Sequence, residues 1–249
     1  MGNIQEMKIE HGNRQIDGIF YAPNEEGQYP VVIFSHGYNG HKNDFDSTAR
    51  YLMSQGICSF TFTFTGGSTR DESGMPTTAM TLFTEMEDLQ AVISFVKELE
   101  QVDSSKIFAF GGSQGGLVTA LTVDDMSEQI KGMILLYPAF CIAENWNKRF
   151  PKLEDIPEEE ELWGMKLGRG FFESIHGYDV YKHIGKYRNN VLVMHGDKDP
   201  IVDIGFSQRV MNIYSNVQLE VFKGEGHGFS LEATKRMSEM LGRFVKENV

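Results

Sequence analysis

The segment Gly111-Gly112-Ser113-Gln114-Gly115-Gly116 sets a serine among glycines directly after the apolar run Ile107 to Phe110. A serine hydroxyl can attack a carbonyl carbon when a sharp strand-to-helix turn presents it, and the neighbours two positions away must then be small because strand and helix approach closely. Gly111 and Gly115 meet that demand. Leu117 to Val123 predicts the helix that follows, whose first NH groups would face a developing oxyanion. The same six residues also suit an ordinary flexible turn, so the pattern needs partners. A serine needs a base to take its proton and an acid to orient that base. His227 stands in the loop Gly224-Glu225-Gly226-His227-Gly228-Phe229, and His195-Gly196-Asp197-Lys198-Asp199-Pro200 places acids after an earlier apolar run. Asp197, Asp199 and Asp203 share that turn, so the chain order is serine, acid, histidine.

Such residues can meet only if the chain brings several loop ends together. Met7 to His11 and Gln15 to Tyr21 predict an opening hairpin, and Pro30 to Ser35 predicts a buried strand. Phe45 to Gln55 reads as helix, Cys58 to Phe64 as strand, and Thr81 to Glu100 as a long helix with Leu82, Met86, Leu89, Ile93 and Val96 on one face. Met133 to Tyr137, Val191 to His195 and Val217 to Phe222 predict further strands, with helices over Ile204 to Tyr214 and Leu231 to Val245. The alternation predicts an α/β fold, a mostly parallel sheet covered on both faces, with reactive groups at the C-terminal ends of its strands.

The rhythm breaks between Pro138 and Arg188. Within a single domain spanning 1–249, residues 139–188 are expected to form a lid of short helices. The aromatic residues there, Trp146, Phe150, Trp163, Phe171, Phe172, Tyr178 and Tyr181, are expected mainly as the lid's own core. Trp146, Trp163 and Phe172 are the candidates to touch a substrate.

Composition narrows the function classes. The 249 residues are 41% hydrophobic, enough for one sizeable core, and carry a formal net charge of −12. That field opposes nucleic acid and anionic membrane surfaces as partners, and the run Glu158 to Glu161 reads as a solvated face. Cys58 and Cys141 are expected as packed thiols rather than a disulfide, and the N-terminus lacks the pattern of a secretory leader, which suits a cytoplasmic protein. His36 and His41 are expected to order loops rather than bind metal, His195 to tie down the acid turn, and Arg70 to lie exposed on its turn. No cofactor is expected. The oligomeric state stays open, a homodimer included.

Five segments, HGYNG at 36–40, EMEDLQAVISFVK at 85–97, GGSQGG at 111–116, HGDKDPIV at 195–202 and GEGHGF at 224–229, make the chain resemble the α/β-hydrolases over essentially its whole length. Within them it is most similar to small bacterial carboxylesterases of the cinnamoyl (feruloyl) esterase type, which carry a compact insertion in the same place. The resemblance implies an eight-stranded sheet, Ser113 as nucleophile and His227 as base and then acid. It also implies Asp199 as orienting acid, since HG-x-x-D-x-x-V falls on His195, Gly196, Asp199 and Val202, leaving Asp197 as a turn residue and Asp203 as a helix cap. The NH groups of Tyr38 and Gln114 are the implied oxyanion hole. The loop Thr65 to Arg70 departs from the GHG-like turn common in the family, and the polar lid residues that grip a phenolic ring in those esterases have no evident counterpart in Ala139 to Arg188. The expected activity is that of a serine carboxylesterase on small carboxylic esters, aryl or hydroxycinnamoyl esters among them. An aminopeptidase-like, thioesterase or acyl-transfer activity uses the same triad. The alternative of another class is a non-catalytic hydrolase-fold binding protein, which the intact triad disfavours.

Overall fold

The computed structural model describes residues 2–23 and 26–249. Strands β1 (Asn3–His11) and β2 (Arg14–Ala22) form the opening hairpin, with Ile9 opposite Ile16, and β2 pairs antiparallel with β4 (Cys58–Phe62). From β4 onward every neighbour is parallel: β3 (Tyr29–Ser35), β5 (Val102–Gly112), β6 (Gly132–Leu136), β9 (Asn190–Gly196) and β10 (Val217–Phe222). The order across this 8-stranded sheet is β1-β2-β4-β3-β5-β6-β9-β10.

The continuous apolar runs have a direct cause: both faces of the central strands are covered. Val31 and Ile33 of β3 join Ile107 and Ala109 of β5 under α2 (Leu82–Val96) and α3 (Gln114–Asp125). Val32 and Phe34 point the other way, with Phe108 and Phe110, onto Leu52 of α1 (Asp46–Ser54) and Met237, Leu241 and Val245 of α7 (Leu231–Glu247). Thr81 caps α2 in a reciprocal box with Thr84, and Ser230 caps α7 by accepting from the Ala233 NH. Cys58 and Cys141 are free, buried thiols. Among the described residues no helix is long and apolar enough to cross a membrane.

Several expectations change. Helix α2 ends at Val96 rather than Glu100, and its buried side includes Glu85 and Asp88 while Met86 is only partly covered. The predicted helix from Ile204 stops at Val210 (α6, Ile204–Val210) and continues as turns. Between β6 and β9 the chain forms not only short helices, α4 (Ile142–Arg149) and α5 (Arg169–Ser174), but also a separate hairpin of β7 (Glu159–Leu162) and β8 (Met165–Gly168). Its two-residue turn is Trp163-Gly164, at φ +47° and +79°, the hand that matches strand twist. The acidic run 158–161 thus feeds a strand, held by Lys166 to Glu159 at 2.9 Å and by a bond from Arg149 of α4 to Glu160.

Candidate active site

Ser113 is the single residue between β5 and α3, and it sits at φ +53°, ψ −120°, a conformation that costs a non-glycine residue energy and persists only where packing enforces it. Its NH bonds to Leu136 O at 2.9 Å, and its carbonyl accepts from the Gly116 and Ala139 NH groups at 3.0 and 2.9 Å. The flanking glycines are steric requirements. A Cβ on Gly111 would lie 2.2 Å from Gly115 O, and one on Gly115 would lie 2.2 Å from His36 O.

The acid and the histidine reach Ser113 on two adjoining loops beyond β9 and β10. Gly196 lets those loops touch, since a Cβ there would fall 2.2 Å from Glu225 O, and the Lys198 NH bonds to the same carbonyl at 2.9 Å. Glu225 in turn accepts from the Ser230 NH and hydroxyl at 2.8 and 2.7 Å, which pins the histidine loop to the start of α7.

His227 Nε2 stands 2.9 Å from Ser113 Oγ and its Nδ1 stands 2.8 Å from Asp199 Oδ2. The carboxylate can only accept, so Nδ1 carries the proton and Nε2 is free to accept from the serine hydroxyl. The Asp199 side chain is wholly buried, and Oδ1 accepts from the Ile201 and Val202 NH groups at 2.9 Å each. Burial alone would raise its pKa. The Val202 NH, His227 and the Ile201 NH outweigh that and hold it below the usual carboxylate value. His195 Nε2 donates to Val202 O at 2.9 Å and lies 3.3 Å from Asp199 Oδ2, while Nδ1 accepts from the Ser207 hydroxyl at 2.7 Å. Burial keeps this ring neutral, with its pKa lowered. The other two acids of the turn face elsewhere: Asp197 Oδ1 accepts from the Gly224 NH at 2.6 Å, and Asp203 Oδ1 accepts from the Gly205 NH at 2.7 Å at the start of α6.

On the opposite side of Ser113 lies the loop after β3. A Cβ on Gly37 would stand 3.0 Å from Ser113 Cβ, so the chain entering Tyr38 runs directly past Ser113. The Gly40 NH closes a turn onto Gly37 O at 3.0 Å, with Asn39 at φ +54°. Among the described residues neither the Tyr38 NH nor the Gln114 NH, in the first turn of α3, bonds to another backbone carbonyl. His36 braces the loop: Nδ1 donates to Gly37 O at 2.7 Å and Nε2 accepts from the Phe64 NH at 3.0 Å, while burial drives its pKa down to about 4. Arg70 Nη2 donates to Asn39 O at 3.3 Å and to Asp44 Oδ1 at 3.5 Å from an exposed position.

A pocket of about 380 Å³ opens over Ser113, Gln114 and Tyr38. Its wall is mostly apolar, with Trp146, Trp163 and Phe171 as the aromatic members and Asn145 and Arg149 as polar ones. Trp163 is 64% exposed at the rim and meets Tyr38 edge-on at 6.0 Å. Phe172, expected at the substrate, is not on the wall. Its ring packs against Trp146 at 4.8 Å and Phe150 at 5.4 Å inside the insertion, and its neighbour Phe171 takes the wall position instead. Two adjacent phenylalanines on a short helix differ by about 100° in direction, which no local pattern resolves. Ile142, Leu167 and Ile201 also line the pocket without having been singled out from the sequence.

Residues 28–160 match the family described as serine aminopeptidase, S33, a span that includes Ser113 and ends before Asp199 and His227. Est1E from Butyrivibrio proteoclasticus, in its structure with ferulic acid bound, superposes with a TM-score of 0.88 at 26% identity, over 97% of this chain and 98% of that one. The structure of DcsB in complex with its substrate analogue gives 0.83 at 19% identity over 99% and 100%, which speaks for the fold alone. The quorum-quenching protein AidA of Acinetobacter baumannii (strain MDR-ZJ06) is 20% identical over 112 residues, 45% of this chain and 36% of that protein, so the chain spans about a third of the length of this relative. The strand order, the glycine-enforced turn and a family match over more than half of the chain lead to one conclusion: this protein is an α/β-hydrolase and belongs to the serine aminopeptidase S33 family.

Proposed function

We propose that this hydrolase is a serine carboxylesterase that cleaves small carboxylic esters through an acyl-enzyme. The observation that carries the reading is the hydrogen-bonded line from Asp199 through His227 to Ser113 Oγ, at 2.8 and 2.9 Å, with Ser113 itself lining a mostly apolar pocket. Ser113 Oγ attacks the acyl carbon as its proton passes to His227 Nε2, and Asp199 stabilises the imidazolium. The carbonyl oxygen becomes an oxyanion facing the Tyr38 and Gln114 NH groups, each worth about 3 to 4 kcal/mol in the transition state. Collapse expels the alcohol with the proton from Nε2, and water activated by the same nitrogen then releases the acid.

The pocket favours esters over peptides with a free amino terminus. An aminopeptidase must hold an ammonium group, and among the described residues the pocket wall carries no carboxylate. Its tryptophans and Phe171 suit a flat, apolar acyl or alcohol group, and the presence of ferulic acid in Est1E makes hydroxycinnamoyl esters the first aryl class to try. The segment between β6 and β9 supplies most of that wall and acts as the lid, within one domain built on the continuous sheet. A panel of nitrophenyl, hydroxycinnamoyl and aliphatic esters, thioesters and aminoacyl amides, run beside Ser113→Ala, tests the proposal. Ester turnover lost in the variant supports it; turnover of amides or thioesters in preference to every ester contradicts it.

A further inference from the structure

Glu85 of α2 is 1% exposed, takes part in no ion pair among the described residues, and has no part in the chemistry above. Both its oxygens receive the side-chain amide of Gln114, at 3.0 and 2.9 Å from Nε2, and Gln114 is itself 2% exposed. Gln114 follows the nucleophile and begins α3, so this bond ties the second helix to the turn that presents Ser113 and one proposed oxyanion donor. The fit is close, since a Cβ on Gly67 would stand 3.0 Å from Glu85 Oε1.

We propose, on the reading of the site as a serine esterase, that Glu85 is a positioning residue whose buried carboxyl grips Gln114 and so sets the first turn of α3. Burial with one amide partner favours the protonated acid: desolvation pushes its pKa to about 8, against the opposing bond from Gln114, and Asp88 adds to the rise. The charged and titratable groups around it do not offset this. Asp88, one turn on, is engaged by the Thr65 NH and hydroxyl at 2.8 Å each and faced by Arg14 of β2 at 3.4 Å. Arg14 also pairs with Glu87 at 2.8 Å. Asp71 is bonded to the Gly66 NH at 2.7 Å, and the neutral His36 ring stacks edge-on to Phe64 at 5.0 Å. Ionised, Glu85 places a negative charge behind the oxyanion hole, where it opposes the charge forming on the substrate.

The test measures kcat and KM on a short nitrophenyl ester from pH 6 to 10 for the full chain, Glu85→Gln and Glu85→Leu, with a melting temperature at each pH. The wild type is expected to lose kcat on the order of tenfold as pH rises through 8, a magnitude typical of a nearby buried charge. Glu85→Gln keeps an acceptor for Gln114 without the charge, so its kcat stays within about threefold of wild type at pH 7 and does not fall above pH 8. Glu85→Leu loses about tenfold in kcat at pH 7 with KM kept, because the Gln114 amide is left without a partner. An alkaline fall in Glu85→Gln equal to that of the wild type overturns the proposal, and so does wild-type kcat in folded Glu85→Leu. If the leucine variant does not fold, the glutamine profile decides. A wild type that turns over no ester overturns the reading of the site and this role with it, whereas an active wild type with an unaltered Glu85→Gln profile overturns this role alone.

Discussion

Replacing Asp199 by Asn changes one atom and should remove most of the activity, for a reason visible in the hydrogen bonds. Asp199 Oδ1 accepts from two backbone NH groups, of Ile201 and Val202, and Oδ2 accepts from His227 Nδ1. An asparagine must keep its oxygen toward the two NH donors, because its NH2 group there would oppose both. The NH2 then faces His227 and drives Nδ1 to become the acceptor, so the proton moves to Nε2, where the ring can no longer take one from Ser113 Oγ. In the worked serine protease triad the same aspartate-to-asparagine change costs about 10⁴ in kcat, and about 5.5 kcal/mol is the corresponding transition-state loss expected here. Asp197→Asn retains the oxygen that accepts from the Gly224 NH, so its kcat should stay within about threefold. Steady-state kinetics on a nitrophenyl ester, with melting curves to show that each variant is folded, reads both values. An Asp199→Asn enzyme within tenfold of wild type, or an Asp197→Asn enzyme that falls as far, refutes the tautomer argument.

Three further outcomes follow from contacts elsewhere. Gly115→Ala forces a Cβ to 2.2 Å from His36 O and 2.5 Å from Ser35 O, both backbone, and should cost about 4 kcal/mol or more; an unshifted melt would show that the elbow can open. Trp163→Ala removes an aromatic face from the pocket rim and should raise KM for aryl esters about tenfold with kcat little changed, and equal KM values for wild type and variant would take Trp163 off the substrate path. Burial pushes the Glu85 carboxyl from 4.5 up to about 8, so the part of the stability that Glu85 contributes is present in full below about pH 4.5 and is lost as pH rises through about 8. Glu85→Gln should therefore gain on the wild type across that window, by up to about 5 kcal/mol, in denaturant melts at pH 5 and pH 9; a constant gap at the two pH values contradicts an uncharged Glu85.

The parts of the site that were legible in the sequence are those whose demands are local. Gly111, Gly115, Gly196 and Gly37 each stand where a Cβ would press on a neighbouring atom or on Ser113, so close approach between segments leaves a trace as glycine beside the candidate site residues. The strands were legible because burial on both faces writes unbroken apolar runs such as Val31 to Phe34. Other features are set by contacts across the fold. The hairpin β7–β8 escaped because Glu159-Glu160-Glu161 shows no alternation, and its strand pairing rests on Lys166, Arg149 and the Trp163-Gly164 turn. Whether Phe171 or Phe172 reaches the pocket depends on the phase of α5 against α4. Glu85 reads as polar helix surface until Gln114, 29 residues on, is placed against it.

The central claim is that Ser113 is the nucleophile, and a fluorophosphonate probe followed by mass spectrometry of the digested protein tests it most directly. A single adduct is expected on the peptide that contains Ser113, slowed strongly in His227→Ala and absent in Ser113→Ala. An adduct on another residue, or a Ser113→Ala protein that still turns over esters at the wild-type rate, would contradict it.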